Sequence, residues 1–156
     1  MDSQQQATIL LVEDEQAHAR LIERNLRRNN IENKISRVED GLDALDFINR
    51  FNTSTQPLLV LLDINLPSLS GYQVLQRIKE NPRTRHIPVI VLTTTDDQHD
   101  VQRCYELGCN FYIAKPINYK KFTEAIAAVG RFLTLVQVPN PSYHQVLYAS
   151  PHTAEA

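Results

Sequence analysis

Apolar runs and amphipathic stretches alternate five times along this chain. The runs are Ile9–Val12, Ile35–Val38, Leu58–Leu62, Val89–Leu92 and Phe111–Ala114. Short apolar runs bounded by turn signals read as buried parallel strands. The stretches between them carry apolar residues at helical spacing. Leu21, Ile22 and Leu26 mark the first, and Leu42, Leu45, Phe47 and Ile48 the second. Tyr72, Val74, Leu75 and Ile78 mark the third; Val101, Tyr105 and Leu107 mark the fourth, with Gly108 as its C-cap. Phe122, Ala125, Ile126, Val129 and Leu133 mark the fifth. Pro57, Pro88 and Gly41 punctuate loops, and no internal repeat is visible. The pattern predicts an α/β fold: a doubly wound (βα)5 chain, right-handed at each crossover, with parallel strand order 2-1-3-4-5.

The fifth helix carries more apolar residues than one sheet-facing stripe can use. Phe132, Leu133, Leu135, Val136 and Val138 extend beyond Val129. The surplus would be exposed unless something covers it. A second copy of the chain would do so, and so would the proline-containing segment that follows (Pro139, Pro141, Pro151), which reads as a tail.

Length and charge narrow the class. A chain of 156 residues suits one domain that buries about two-thirds of its unfolded surface. A net charge of −2 argues against non-specific nucleic-acid binding, which needs a basic stripe. No apolar stretch approaches the length of a membrane span, and Met1 to Gln6 lack a signal-peptide core. Cys104 and Cys109 match no zinc spacing and make no disulfide framework. His18, His86, His99, His144 and His152 are scattered, not clustered as metal ligands would be. The expectation is a reduced, cytoplasmic protein with no membrane segment.

The third apolar run stops at a carboxylate, Asp63, followed by Ile-Asn-Leu-Pro. Ligands and chemistry in open α/β sheets sit at the carboxyl ends of strands. Glu13 and Asp14 follow strand 1, Thr93 ends strand 4 and Lys115 follows strand 5. In the predicted order these strands are neighbours, so the five side chains converge. Two unit charges about 4 Å apart repel by about 4 kcal/mol at an effective dielectric of about 20. Helix N-termini return only about 0.3–1 kcal/mol each. Three carboxylates together therefore need cations. Lys115 supplies one charge, and Mg2+, which favours carboxylate oxygens, suits the rest. A carboxylate nucleophile flanked by a cation, an ammonium and a hydroxyl suits phosphoryl transfer onto Asp63.

These motifs, Leu-Val-Glu-Asp, Leu-Leu-Asp-Ile-Asn-Leu-Pro, Leu-Thr-Thr and Tyr-Ile-Ala-Lys-Pro, resemble the receiver domain of two-component response regulators over roughly residues 7 to 133. The resemblance implies a flavodoxin-like fold with Asp63 as phosphoacceptor and Glu13 and Asp14 as Mg2+ ligands. It implies a metal-bound backbone carbonyl at Asn65, a switch pair of Thr93 and Tyr112, and a phosphate-binding Lys115. The Lys115–Pro116 bond matches one that is cis in the family. Three further segments, Ile78 to Pro82, Ile87 to Thr94 and Phe132 to Pro139, are similar to single-domain regulators paired with bacterial phytochromes. That implies a phytochrome-like sensor histidine kinase as partner, and homodimers through Phe132, Leu135, Val136 and Val138. The expected organisation is a receiver over residues 7–136, a tail over 137–156 and no output domain. No enzyme activity is expected beyond the domain's own phosphorylation and dephosphorylation.

Plainer readings stand beside these. Asp63 could cap a turn, Glu13 and Asp14 could cap a helix, and Lys115 could be a solvated surface lysine. Thr94 and Thr95 compete with Thr93 for the hydroxyl role, which falls to Thr93 by its place immediately after the apolar run, and Tyr112 could be a sheet aromatic. Arg20, Arg24, Arg27 and Arg28 read as a solvated helix face. A haloacid-dehalogenase-like phosphatase would need a second aspartate where Asn65 stands. A pseudo-receiver, which binds without phosphorylation, would lack one of the key residues, and none is missing.

Overall fold

The computed structural model describes residues 6–94, 97–115 and 117–135, with side chains described to residue 128. Among the described residues, five strands and five helices alternate: β1 (Thr8–Val12), α1 (Gln16–Arg28), β2 (Ile35–Val38), α2 (Gly41–Arg50), β3 (Leu58–Asp63), α3 (Gly71–Glu80), β4 (Val89–Thr93), α4 (Gln98–Glu106), β5 (Phe111–Ala114) and α5 (Tyr119–Leu135). All strand pairs are parallel, in the order β2-β1-β3-β4-β5. The predicted flavodoxin-like doubly wound layout is the one observed.

Strand alternation divides the core into two layers. Leu10, Val12, Val60, Leu62, Val89 and Val91 face one side, with Ala44, Ile48, Val74, Leu75, Ile78 and Cys104 from α2, α3 and α4. Ile9, Leu11, Leu59, Leu61, Ile90 and Leu92 face the other, against Ala19, Ile22 and Leu26 of α1 and Phe122 and Ile126 of α5. The three central strands are buried throughout, which is why they read as unbroken apolar runs. β2 and β5 form the edges and are only partly buried.

Two helix assignments shift in detail. Leu21 and Leu42, read as core-facing, are 45% and 55% exposed. The buried stripe of α1 is Ala19, Ile22 and Leu26, which places Leu21 beside it. Gly108 follows the C-cap Leu107 with φ +101, the left-handed conformation a helix-ending glycine supplies. Phe132 and Leu135 lie on the α5 backbone, but their side chains, together with Thr95, Pro116, Val136, Val138 and the tail 137–156, lie outside the described residues. Among the described residues, no helix is long and apolar enough to cross a membrane.

Candidate functional site

Sheet register assembles the site. Val12 pairs with Leu62, so Glu13 lies beside Asp63, the last residue of β3. Asp63 pairs with Leu92, and Thr93, the next residue, pairs with Ala114. Lys115 follows Ala114, and its N–H donates to the Thr93 carbonyl at 2.6 Å. Alternation sends Glu13, Asp63 and Lys115 to the α1/α5 side of the sheet. Thr93 shares a face with Val91, and Val91 pairs with Tyr112, so Thr93 and Tyr112 both lie on the opposite side.

Lys115 is the hub. Its Nζ donates to Glu13 Oε2 at 3.0 Å and to Asp63 Oδ2 at 3.4 Å. The side chains of all three are at most 9% exposed. Burial works against the Lys115 ammonium, but the Glu13 bond and the two carboxylate charges outweigh it and hold its pKa above the ordinary value. Burial pushes the Glu13 carboxyl upward, opposed by the Lys115 bond and reinforced by the Asp63 charge. The solvated-lysine reading of Lys115 is thus excluded.

Asp14 is exposed at the mouth of the site, and one carboxylate oxygen from each of Glu13, Asp14 and Asp63 falls within 4.8 Å of the others. Three hard oxygen donors around one point, with a single ammonium to balance them, fit a divalent cation of the Mg2+ type. The Asn65 N–H donates to Asp63 Oδ1 at 3.1 Å, which fixes the turn after β3. Gly71, the first residue of α3, crosses this turn closely. A Cβ there would collide with the Asp63 carbonyl oxygen and the Ile64 Cα.

The helix-cap reading of Glu13 and Asp14 holds only in part. The N-cap of α1 is Glu15, and Glu13 Oε1 accepts from the Glu15 N–H at 3.3 Å. Among the three threonines, Thr94 is exposed and its hydroxyl accepts from the Asn65 side chain at 3.4 Å. Thr93 is fully buried, and its hydroxyl has no hydrogen-bond partner among the described residues. A buried hydroxyl without a partner is costly, and such groups in folded proteins call for a reason.

One neighbour escaped the sequence reading. His18, in the first turn of α1, places Nδ1 3.2 Å from Lys115 Nζ, 3.2 Å from Glu15 Oε2 and 3.7 Å from Glu13 Oε1. The signal was its position one turn before the buried Ile22, at the strand end that carries Glu13.

This chain belongs to the response regulator receiver domain family, whose profile matches residues 9–127. Receiver-domain response regulators are generally non-enzymatic signalling proteins, and receiver domains partner with histidine kinases. It is 39% identical over 135 residues to the response regulator Rcp1 of Synechocystis, covering 84% of this chain and 92% of that protein. The Mn(2+)-bound crystal structure of Rcp1 superposes with TM-score 0.66 at 37% identity, covering 83% of this chain and 96% of Rcp1. A receiver domain from Rhodospirillum rubrum matches with TM-score 0.70 and 48% identity over 85% of this chain and 97% of its own. The phosphorylated cyanobacterial phytochrome response regulator RcpA matches with TM-score 0.68 and 31% identity, over 86% and 99%.

Proposed function

We propose that this chain receives a phosphoryl group on Asp63 from a histidine kinase and signals through protein contacts. The observation that carries the reading is the placement of Lys115 between Glu13 and Asp63, with Asp14 completing a cation-sized cluster. An Asp63 carboxylate oxygen attacks the phosphorus of a phosphohistidine. The P–N bond breaks, an acyl P–O bond forms, and the imidazole leaves with a proton from water. Glu13, Asp14, Asp63 and the Asn65 carbonyl would hold Mg2+, which supplies positive charge to the phosphoryl oxygens. Lys115 donates to a second phosphoryl oxygen. The unpartnered Thr93 hydroxyl is the donor for a third, and reaching it draws Thr93 toward the site. Tyr112, on the same face one pair away, responds to that movement and carries it to the surface of α4 and β5. Water later hydrolyses the acyl phosphate and returns Asp63.

The similarity to the cyanobacterial phytochrome response regulator RcpA supports a phytochrome-like kinase as the donor, and the Mn(2+) of Rcp1 supports a divalent cation at this cluster. Residues 7–136 would form the receiver. The surplus apolar residues of α5 support a homodimer as the working assembly. Incubation with a small acyl phosphate and Mg2+, read by intact-mass spectrometry, tests the acceptor. One added phosphoryl group is expected, absent in Asp63→Asn and absent in chelator. Equal labelling of the variant would remove Asp63 from the role.

A further inference from the structure

We propose that His18 is a positioning residue for Lys115, an inference that rests on the phosphoryl-transfer reading above. The Lys115 ammonium has three N–H donors and three acceptors around it: Glu13 Oε2 at 3.0 Å, His18 Nδ1 at 3.2 Å and Asp63 Oδ2 at 3.4 Å. Two of these belong to the reaction. Asp63 would become the acyl phosphate, and Glu13 would be one of the residues holding the cation. Of the three, His18 alone stands outside the Glu13, Asp14 and Asp63 cluster and is not the phosphoryl acceptor. It therefore holds the ammonium at the strand ends while its other two partners change. A lysine needs such a hold, because its flexible four-carbon stem loses rotamer freedom whenever the head is fixed.

An ammonium cannot accept a hydrogen bond, so His18 must present a bare Nδ1 and carry its proton on Nε2. Glu15 Oε2, also 3.2 Å from Nδ1, favours the opposite tautomer, whereas the buried Glu13 Oε1, at 3.7 Å, lies beyond hydrogen-bond reach. The two partners are not equivalent. The Glu15 side chain is 59% exposed and solvated, whereas that of Lys115 is 9% exposed. Hydrogen bonds strengthen where water is excluded, so the Lys115 bond decides the tautomer. The backbone side of the ring is also set, because the adjacent Ala19 and, one turn on, Ile22 are buried against the sheet.

The test compares wild type, His18→Leu and His18→Asn, since the asparagine oxygen falls where Nδ1 stands. Titration with beryllofluoride in Mg2+ reads phosphoryl-analogue affinity; titration with Mg2+ alone reads the carboxylate cluster. His18→Leu should weaken the analogue roughly three- to tenfold, the range open to one hydrogen bond, while His18→Asn stays within about twofold and Mg2+ affinity stays within about twofold in both. In a Lys115→Ala background, His18→Leu should add no further loss. Nitrogen-15 NMR of the wild-type imidazole at mildly alkaline pH should show the Nε2–H tautomer. Equal analogue affinity in His18→Leu, the same loss without Lys115, or a ring protonated at Nδ1 would overturn the inference. A wild type that binds no analogue would instead overturn the proposed function, and this inference with it.

Discussion

Lys115→Ala isolates what holds the acidic site together. The variant removes an ammonium 3.0 Å from Glu13 Oε2 and 3.4 Å from Asp63 Oδ2, both on side chains at most 8% exposed. At an effective dielectric of about 20, each contact is a Coulombic attraction of about 5 kcal/mol. Much of that offsets desolvation in the wild type, so the measurable quantity is the cost of leaving two buried carboxylates facing each other. Breaking one side of a buried pair costs about 3–5 kcal/mol. For a domain of this size, 1 kcal/mol moves the melting temperature by about 2–4 °C. The expected fall is therefore about 6–20 °C in chelator. Two accompanying signs identify the cause. Mg2+ should raise the melting temperature of the variant more than that of wild type, because the cation then neutralises charges the lysine no longer meets. The penalty should also shrink as pH falls through the Glu13 pKa, which burial raises, because a protonated Glu13 no longer repels Asp63. Thermal melts by circular dichroism at neutral and acid pH, each with chelator and with Mg2+, measure all three. An unchanged melting temperature at neutral pH in chelator would refute the network described here.

Gly71→Ala should destabilise the fold by about 1–3 kcal/mol, because the new Cβ must displace the backbone of Asp63 and Ile64, and phosphoryl labelling should slow with it; chemical denaturation and intact-mass kinetics read the two effects. Cys104 and Cys109 are buried, and burial pushes their thiols up to about 11 and about 12, so thiol-reagent labelling near pH 8 should be slow and should track unfolding. Raised thiol pKa values mean the folded state binds protons more tightly, so the matching stability is present below about pH 9 and is lost as pH rises through those values. Phe132→Asp with Val136→Asp should convert a dimer to a monomer in analytical ultracentrifugation, since each buried apolar side chain contributes roughly 1.5–3 kcal/mol; a double variant that dimerises as wild type does would assign the α5 surplus another use.

The fold was legible because its signal is local. A parallel strand covered on both faces must be apolar at every position, so Leu58–Leu62 and Val89–Leu92 announce themselves without reference to the rest of the chain. The same rule makes a polar residue at the end of such a run conspicuous, which is how Asp63 and Thr93 stand out. Helix faces were less legible. Leu21 and Leu42 have the right residue type at nearly the right phase, but a shift of about 100° per residue separates the core face from water, and only packing against the sheet fixes that phase.

What the sequence by itself determined was which residue types stand at the strand ends and the order in which the strands follow. The tertiary structure alone decided how those ends meet. Register between β1, β3 and β5 puts Lys115 against Glu13, 102 positions away, and against His18, 97 positions away. It also left the buried Thr93 hydroxyl without a partner among the described residues, and it decided that Tyr72 of α3 donates to Asp100 of α4 at 2.9 Å under the Arg103 guanidinium. Each of these depends on the relative placement of elements far apart in the chain. Periodicity sets the burial of a residue within its own element, whereas a contact between elements follows from how their packed surfaces settle against one another.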